Sequence, residues 1–155
     1  MLKLTKKADY GLMAMKHLAE NPGSCSAKEL AEAYGIPQEA LAKILQKLVK
    51  AGLLVSQHGS NGGYVLARDA RRITALEVIK AIDGPLFITS CVTTRGECYQ
   101  TAKCTVREPL RKVNESIQEV LSKITIWEMR EKEKEEPNGE AAESDPEPAE
   151  LVTLA

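Results

Sequence analysis

Three of the four cysteines in the chain lie close together: Cys91, Cys98 and Cys104 are separated by six and five residues. Thiols at this spacing could form a disulfide, ligate zinc, ligate an iron–sulfur cluster, or be small buried side chains. Structural zinc sites usually contain cysteine pairs separated by about two to four residues, and this segment has no such pair. Wider gaps suit thiolates arranged around a larger iron–sulfur unit. The spacing points towards a cluster and leaves the alternatives open.

The compartment affects which of these chemistries we expect. The basic amino terminus is not followed by the apolar segment of a secretory signal. No stretch of the sequence approaches the roughly 18 apolar residues of a membrane span. We therefore expect a cytoplasmic protein with no membrane partner. In a reducing compartment a cysteine group is more often metal-binding or catalytic than a structural disulfide.

The charges are unevenly distributed along the 155 residues, although the formal net charge is only −1. Residues 1–90 contain 12 Lys and Arg against 8 Asp and Glu, whereas residues 128–155 contain 3 against 10. The mildly basic body could therefore bind an anionic partner. Residues 131–150 are acidic, contain proline and have almost no apolar side chains, so we predict a disordered acidic tail over 131–155.

Apolar spacing and capping signals predict three short helices followed by a hairpin. The first helix covers about 6–20, the second begins after the N-cap Ser26, and the third covers about 37–51 with one apolar stripe. The sequence YGIP joins the second and third helices, as a helix-turn-helix requires. Strands at 53–57 and 64–67 flank the turn HGSNGG. The predicted fold class is mainly α with a small β-hairpin, a winged helix-turn-helix.

Two further helices are predicted downstream. Thr74 and Thr105 each precede a glutamate by three residues, which indicates capping boxes. The second helix should cover about 106–129, where apolar residues recur at alternating steps of three and four. This seam could pack on its own domain. However, a helix of this length spans roughly 35 Å, so we predict a C-terminal dimerisation helix. The seam contains Leu110, Val113, Ile117, Val120, Ile124 and Trp127.

These elements divide the chain into four predicted parts. Residues 1–84 form the winged helix-turn-helix domain, 85–105 the cysteine loop, 106–130 the dimerisation helix and 131–155 the tail.

The third helix and the hairpin are the predicted DNA-binding elements. A reading helix must anchor itself by its apolar stripe while polar and basic side chains point outward, and glycine-rich hairpin backbone can approach phosphates closely. Such domains also serve as small protein-binding modules. The modest positive charge favours a specific dimeric reader of a pseudo-palindromic double-stranded DNA operator. The predicted contacts are Gln38, Glu39, Lys43, Gln46, Lys47, His58, Ser60, Asn61, Gly62 and Tyr64.

Catalysis is not expected. A cysteine nucleophile needs a base, and His17 and His58, the two histidines of the chain, both fall in elements assigned to DNA binding. No phosphate-binding or nucleotide-binding loop is present in the sequence. We therefore expect no small-molecule substrate. Cys25, in the helix-turn-helix, is predicted to be a small buried residue.

Several segments together resemble the IscR-type (Rrf-two) family of bacterial winged-helix regulators. They are LKLTKKADYGLMAMKHLA, AGLLVSQHGSNGGYVLARD and the three cysteines before a long helix, and the resemblance covers about residues 2–130. It implies a homodimeric transcription factor that senses iron–sulfur or redox status and controls iron–sulfur assembly (SUF-like) genes. It also implies an iron–sulfur cluster, more often [2Fe–2S] than [4Fe–4S], held by Cys91, Cys98, Cys104 and one further ligand.

Two positions depart from the family pattern. Many members have histidine three residues after the last cysteine, where this chain has Arg107, which stays protonated and cannot ligate. Some members instead use an aspartate of the partner subunit near the start of the first helix, which here is Asp9; Glu97, Glu108 and His17 are further candidates. The wing begins with His58 where arginine is common. A cluster-free thiol-redox regulator or a zinc-containing regulator of the same fold is the alternative.

Overall fold

The structure of the chain is a computed structural model that describes residues 3–89, 99 and 102–130. Within these residues the fold is mainly helical with one antiparallel pair of strands, which confirms the predicted fold class. The elements are α1 (Lys6–Glu20), α2 (Ala27–Tyr34), α3 (Gln38–Lys50), β1 (Leu54–Gln57), β2 (Gly63–Leu66), a 3-10 helix (Ala70–Arg72), α4 (Ala75–Asp83), α5 (Arg107–Lys123) and α6 (Ile126–Met129).

Local sequence signals explain the helix-turn-helix formed by α2 and α3. Ser26 and Glu29 form the predicted capping box at the start of α2, each side chain bonding the backbone N–H of the other residue. Gly35 ends α2 in the left-handed region, at φ 63°, where a residue without Cβ is favoured. The inner faces of these helices and of α1 share one core. Its fully buried side chains include Met15, Leu30, Leu41, Leu45 and Leu48.

The hairpin is attached to the helix-turn-helix by backbone hydrogen bonds. Strand β1 pairs with β2 in the register Leu54↔Leu66 to Gln57↔Gly63. Beside β2, the Cys25 N–H donates to the Tyr64 carbonyl at 3.2 Å, and the Tyr64 N–H donates to the Cys25 carbonyl at 2.8 Å. The residues just before α2 therefore act as a third extended segment, and the position of the wing relative to α2 is set by this pairing.

Helix α4 completes the domain by packing against α1, α3 and α5. Its predicted capping box is present, because the side chains of Thr74 and Glu77 bond each other's backbone N–H groups. One face of α4 is buried, with Val78 and Ile79 fully enclosed and Ile82 only 4% exposed. The helix is consequently a central element of the core.

The single helix predicted over 106–129 is wrong in its last part. Helix α5 ends at Lys123, Ile124 is extended, and Thr125 forms a new capping box with Glu128 that begins α6. The Ala75 N–H donates to the Ile124 carbonyl at 2.8 Å, and the Ile126 N–H donates to the Ile73 carbonyl at 2.9 Å. These bonds to the start of α4 replace helical ones.

The break removes two residues from the predicted seam and ends its regular spacing. Ile124 has left the helix, and the ring of Trp127 lies against the guanidinium groups of Arg71 and Arg130, 4.1 and 3.0 Å from the ring centroid. The capping box predicted at Thr105 is also absent. Val106 stands at the N-cap without a side-chain bond, and Glu108 pairs with Arg111.

Gly63→Ala should weaken the junction between the wing and α2. A Cβ at this position would lie 2.6 Å from both the backbone carbon and the carbonyl oxygen of Cys25, so one of the two segments must move. We expect a loss of about 1–3 kcal/mol in the free energy of unfolding, measured by urea denaturation. Ser60→Ala in the exposed hairpin loop is the matched control and should change it by less than about 0.5 kcal/mol. Equal stability of the two variants would contradict the close approach.

Candidate nucleic-acid interface and cysteine site

Helix α3 carries half of the residues predicted to contact DNA. Gln38, Glu39, Lys43 and Gln46 are exposed, while the stripe on the opposite face is buried. The helix therefore presents a polar row that is free of core contacts. A groove beside this row is lined by Lys7, Pro37, Glu39, Ala40, Lys43, Ile44 and Lys47.

Lys7 is a groove residue that the sequence did not single out. It lies in the first turn of α1, far from α3 along the chain, and reaches this groove because α1 packs against α3. The basic residues at the start of the first helix are visible in the sequence. Their position beside α3 follows only from the packing of α1 against α3 in the tertiary structure.

Lys47 differs from its neighbours on α3. Its ammonium donates a hydrogen bond of 3.0 Å to the carbonyl oxygen of Ile82, near the carboxyl end of α4. That carbonyl lies in the last turn of the helix, where carbonyl groups lack helical partners and carry partial negative charge. Lys47 is exposed, but at least one of the three donors of its ammonium is already bonded to another part of the same chain.

The predicted wing contacts lie together. His58, Ser60 and Asn61 are exposed, whereas Gly62 and Tyr64 are half-buried. The Ser24 hydroxyl donates to the Asn61 carbonyl at 2.6 Å and so fixes the tip of the turn. A polar groove runs between the wing and the start of α2; its lining is Ser26, Ala27, Ser56, Gln57, His58, Gly59, Ser60, Gly62, Gly63 and Tyr64.

The cysteine site is only partly within the described residues. Cys91, Cys98 and Glu97 lie outside them. Cys104 is a half-buried free thiol three residues before the first residue of α5, and Arg107 is that first residue. Within residues 3–89, 99 and 102–130, no three His, Cys, Asp or Glu side chains converge as metal ligands. The ligand set thus stays a prediction.

The candidate fourth ligands are in different situations. Asp9 is exposed in the first turn of α1. His17 Nδ1 lies 3.0 Å from the Tyr34 hydroxyl, edge-on to its ring, so its imidazole already has a partner. Glu108 is engaged by Arg111. Asp9 and Glu108 are both exposed, and they differ in that Glu108 is paired with Arg111.

Helix α5 has two unlike faces. Towards α4, the Asn114 amide oxygen accepts from the Ile88 N–H at 3.0 Å, and the Gln118 amide donates to the Leu86 carbonyl at 3.0 Å. On another face, Val113 is 46% and Val120 58% exposed. These two valines belong to a shallow groove whose full lining is Lys112, Val113, Ser116, Ile117, Val120 and Leu121. The helix is docked on its own domain and still leaves apolar surface exposed.

None of the helices in the described part of the chain is long and apolar enough to cross a membrane.

A helix-turn-helix followed by a hairpin wing, with an exposed polar row on the second helix, defines the chain as a winged-helix DNA-binding protein. The family model described as Rrf2, iron-dependent transcriptional regulator, matches residues 4–132. The chain belongs to this family of transcription regulators, and the resemblance noted from the sequence is confirmed.

Individual relatives agree with this assignment. Protein aau3 of Rhizobium meliloti (strain 1021) is 35% identical over 128 residues, which are 81% of this chain and 82% of that protein. The solved structure of T. potens IscR is 34% identical with a TM-score of 0.67, covering 83% of this chain and 85% of that one. CymR, the global cysteine regulator of B. subtilis, is 30% identical with a TM-score of 0.68, covering 83% and 96%. The family and these two structures are regulators, in agreement with the expectation that the chain is not an enzyme.

Cys25 should react slowly with alkylating agents. It is half-buried against the core, and burial followed by the charge of Glu29 raises the pKa of its thiol above the ordinary value. A raised pKa leaves less thiolate, the reactive form, at a given pH. At pH 8 we expect iodoacetamide to modify Cys25 several-fold more slowly in the folded protein than in urea, measured by peptide mass spectrometry.

The raised pKa of Cys25 also determines the direction in which stability changes with pH. Because the folded protein favours the neutral thiol, the contribution of Cys25 to stability is present below the pKa of the unfolded chain and is lost as the pH rises through the raised value. Cys25→Ala should remove this alkaline part of the stability profile. Equal alkylation rates in folded and unfolded protein would show that the thiol is not protected.

Proposed function

We propose that the chain is a homodimeric transcription regulator whose DNA binding responds to an iron–sulfur cluster held by Cys91, Cys98 and Cys104. A [2Fe–2S] cluster is favoured over [4Fe–4S], and iron–sulfur assembly (SUF-like) genes are the proposed targets. The observation that carries the proposal is the position of Cys104. Its thiol is half-buried directly before α5, the helix that contacts α4 and also exposes the apolar groove.

The surroundings of Cys104 fit a ligand of such a cluster. The start of a helix carries partial positive charge from unpaired N–H groups and favours negative groups. Arg107 and Lys103 add positive charge nearby in the chain. A cluster ligated by thiolates carries negative charge, and when bound it supplies a group that changes with oxidation and with iron supply. The site therefore suits the donor set that the family resemblance implies.

Asp9 of the partner subunit is the proposed fourth ligand. The exposure of Asp9 leaves its carboxylate available to a second molecule. Arg107 occupies the position where many relatives have a ligating histidine, so a different residue must complete the set. A carboxylate is a harder and weaker ligand for iron than a thiolate, which suits a labile sensing site.

The second subunit is proposed to cover the groove of α5. Val113, Ile117 and Val120 are spaced by four and three residues, the spacing of a helix–helix seam. A helix of 17 residues is about 25 Å long. Two-fold pairing of identical faces buries such a stripe on both subunits at once. The dimer would then carry two reading helices suited to a pseudo-palindromic operator.

The proposed DNA contacts are exposed residues of α3 together with exposed and half-buried residues of the wing. Their side chains combine amide and charged groups suited to base edges with small residues suited to close backbone approach. The set comprises Gln38, Glu39, Lys43, Gln46, His58, Ser60, Asn61, Gly62 and Tyr64.

A regulator of the same fold without a cluster is the second candidate. Two observations favour it: Arg107 in place of a ligating histidine, and the similarity to CymR, which is named a global cysteine regulator. In this version the cysteines respond by thiol oxidation or hold zinc.

Metal analysis of protein purified and reconstituted without oxygen distinguishes these candidates. We expect about two iron and two acid-labile sulfide ions per subunit, with a Mössbauer spectrum of a [2Fe–2S] cluster. Cys104→Ser should lose them, because one of the three proposed thiolates is gone, and Cys25→Ser is the matched control that should keep them. Stoichiometric zinc without sulfide supports the zinc regulator, and neither metal supports the thiol regulator. Asp9→Ala with unchanged spectrum and lability would remove Asp9 from the ligand set.

Val113→Asp should weaken the dimer. The substitution places a charge in the proposed interface, where desolvation without a partner is unfavourable, while the valine is already 46% exposed in the single chain. We expect the dimer dissociation constant to rise at least about tenfold, a loss of about 1.4 kcal/mol, measured by analytical ultracentrifugation. Ser122→Asp, an exposed site near the end of α5, is the matched control. A variant that remains as dimeric as the control would place the interface elsewhere.

A further inference from the structure

We propose that Lys47 is a positioning residue rather than a DNA contact, and that residues 82–88, called the connector below, join the reading helix α3 to α5. The connector includes the end of α4 and the segment after it. The inference rests on the proposed DNA-binding role of α3 for one of its measurements. Its structural part depends only on the contacts of the connector.

The first end of the connector is held by α1 and α3. Lys47 on α3 donates to the Ile82 carbonyl at 3.0 Å. The Thr5 hydroxyl, at the N-cap of α1, donates to the Asp83 carboxylate at 2.6 Å. Gly11 leaves the space that Ile82 fills, since a Cβ there would lie 2.0 Å from the Cδ1 of Ile82. Helix α1 with its N-cap therefore contacts both Ile82 and Asp83, and α3 bonds Ile82.

The second end of the connector is held by α5. The Leu86 carbonyl accepts from the Gln118 amide, and the Ile88 N–H donates to the Asn114 amide oxygen, both at 3.0 Å. Asn114 is only 3% exposed, so breaking its bond would leave polar groups buried without a partner. Since Cys91 follows Ile88 by three residues, the connector leads directly into the cysteine loop.

The chemistry at Lys47 favours the internal role. A carbonyl in the last turn of a helix needs a donor from outside the helix and attracts a cation. The ammonium of Lys47 supplies both, and this ties α3 to α4 at one point. Lys43 lies one turn earlier on α3, and both lysines are exposed and line the groove beside the reading face. Lys47 differs by its bond to the Ile82 carbonyl. The two lysines share a helix and a charge but should have different tasks.

The salt dependence of DNA binding distinguishes a phosphate contact, expected of Lys43, from a positioning role, proposed for Lys47. The probe is a duplex selected from a random-sequence pool by the wild-type protein. Loss of one phosphate contact lowers the slope of log K against log salt concentration by about 0.9. Lys43→Met should lower the slope by this amount for each subunit that binds the duplex. Lys47→Met should weaken binding by about three- to tenfold at every salt concentration without changing the slope, and Lys47→Arg should restore affinity because it keeps a charged donor.

Hydrogen exchange of the free proteins gives an independent readout. Without the bond from Lys47, the end of α4 should open more often. Exchange at the Gly84 and Ile88 amides should therefore be faster in Lys47→Met and unchanged in Lys43→Met. If Lys47→Met lowers the salt slope as Lys43→Met does and leaves these amides unchanged, the inference is wrong. If the wild type selects no duplex, the proposed DNA-binding role fails, while the exchange comparison still tests the connector.

A double-variant cycle tests whether the two ends act together. Lys47→Met and Asn114→Ala are compared with the double variant for affinity to the same duplex, after each is shown to be folded by circular dichroism. If the two ends of the connector act together, either substitution alone already releases it. The double variant should then lose less affinity for the duplex than the product of the two single losses. Losses that multiply would show independent ends and overturn the connector. If Asn114→Ala does not fold, Gln118→Ala, which removes the bond to the Leu86 carbonyl at the same end, takes its place.

Discussion

The enclosure of the carboxyl end of α4 between α1 and α3 is the contact on which the arrangement of the domain depends. Ile82 fills the space beside Gly11, and the polar groups around it are satisfied by Thr5 and Lys47. The apolar contact gives the burial, and the two hydrogen bonds fix the direction of the helix end. The orientation of the reading helix is therefore tied to a helix that makes no part of the predicted DNA surface.

The wing depends on a second and separate constraint, which is made of backbone. Cys25 and Tyr64 exchange two hydrogen bonds, and Gly63 allows the two chains to approach. Because these groups are peptide N–H and carbonyl groups, side chains of the wing remain available for other contacts. Because backbone groups make the attachment, a short hairpin can hold a defined position while its turn stays exposed.

Helix α5 bonds its own domain through one face and exposes apolar side chains on another. Its polar residues Asn114 and Gln118 bond the segment after α4, and Val113 and Val120 are exposed on another face. Most exposed side chains of α5 are charged, as on an ordinary surface helix, and the two valines are apolar exceptions among them. An apolar face left open, on a helix that is anchored by polar groups, is what a subunit interface requires.

The sequence by itself determined the helix-turn-helix, the hairpin and the capping boxes at Ser26 and Thr74, because caps, turns and apolar periodicity are local. It also supplied the family resemblance and the choice of the three cysteines. The tertiary structure decided the break at Ile124, where the apolar spacing continues but the backbone finds partners in Ala75 and Ile73. It likewise bonded Lys47 to the carbonyl of Ile82 and brought Lys7 beside α3. The reason is the same in each case: a period along one helix records which residues share a face, whereas the partner of that face belongs to a distant part of the chain.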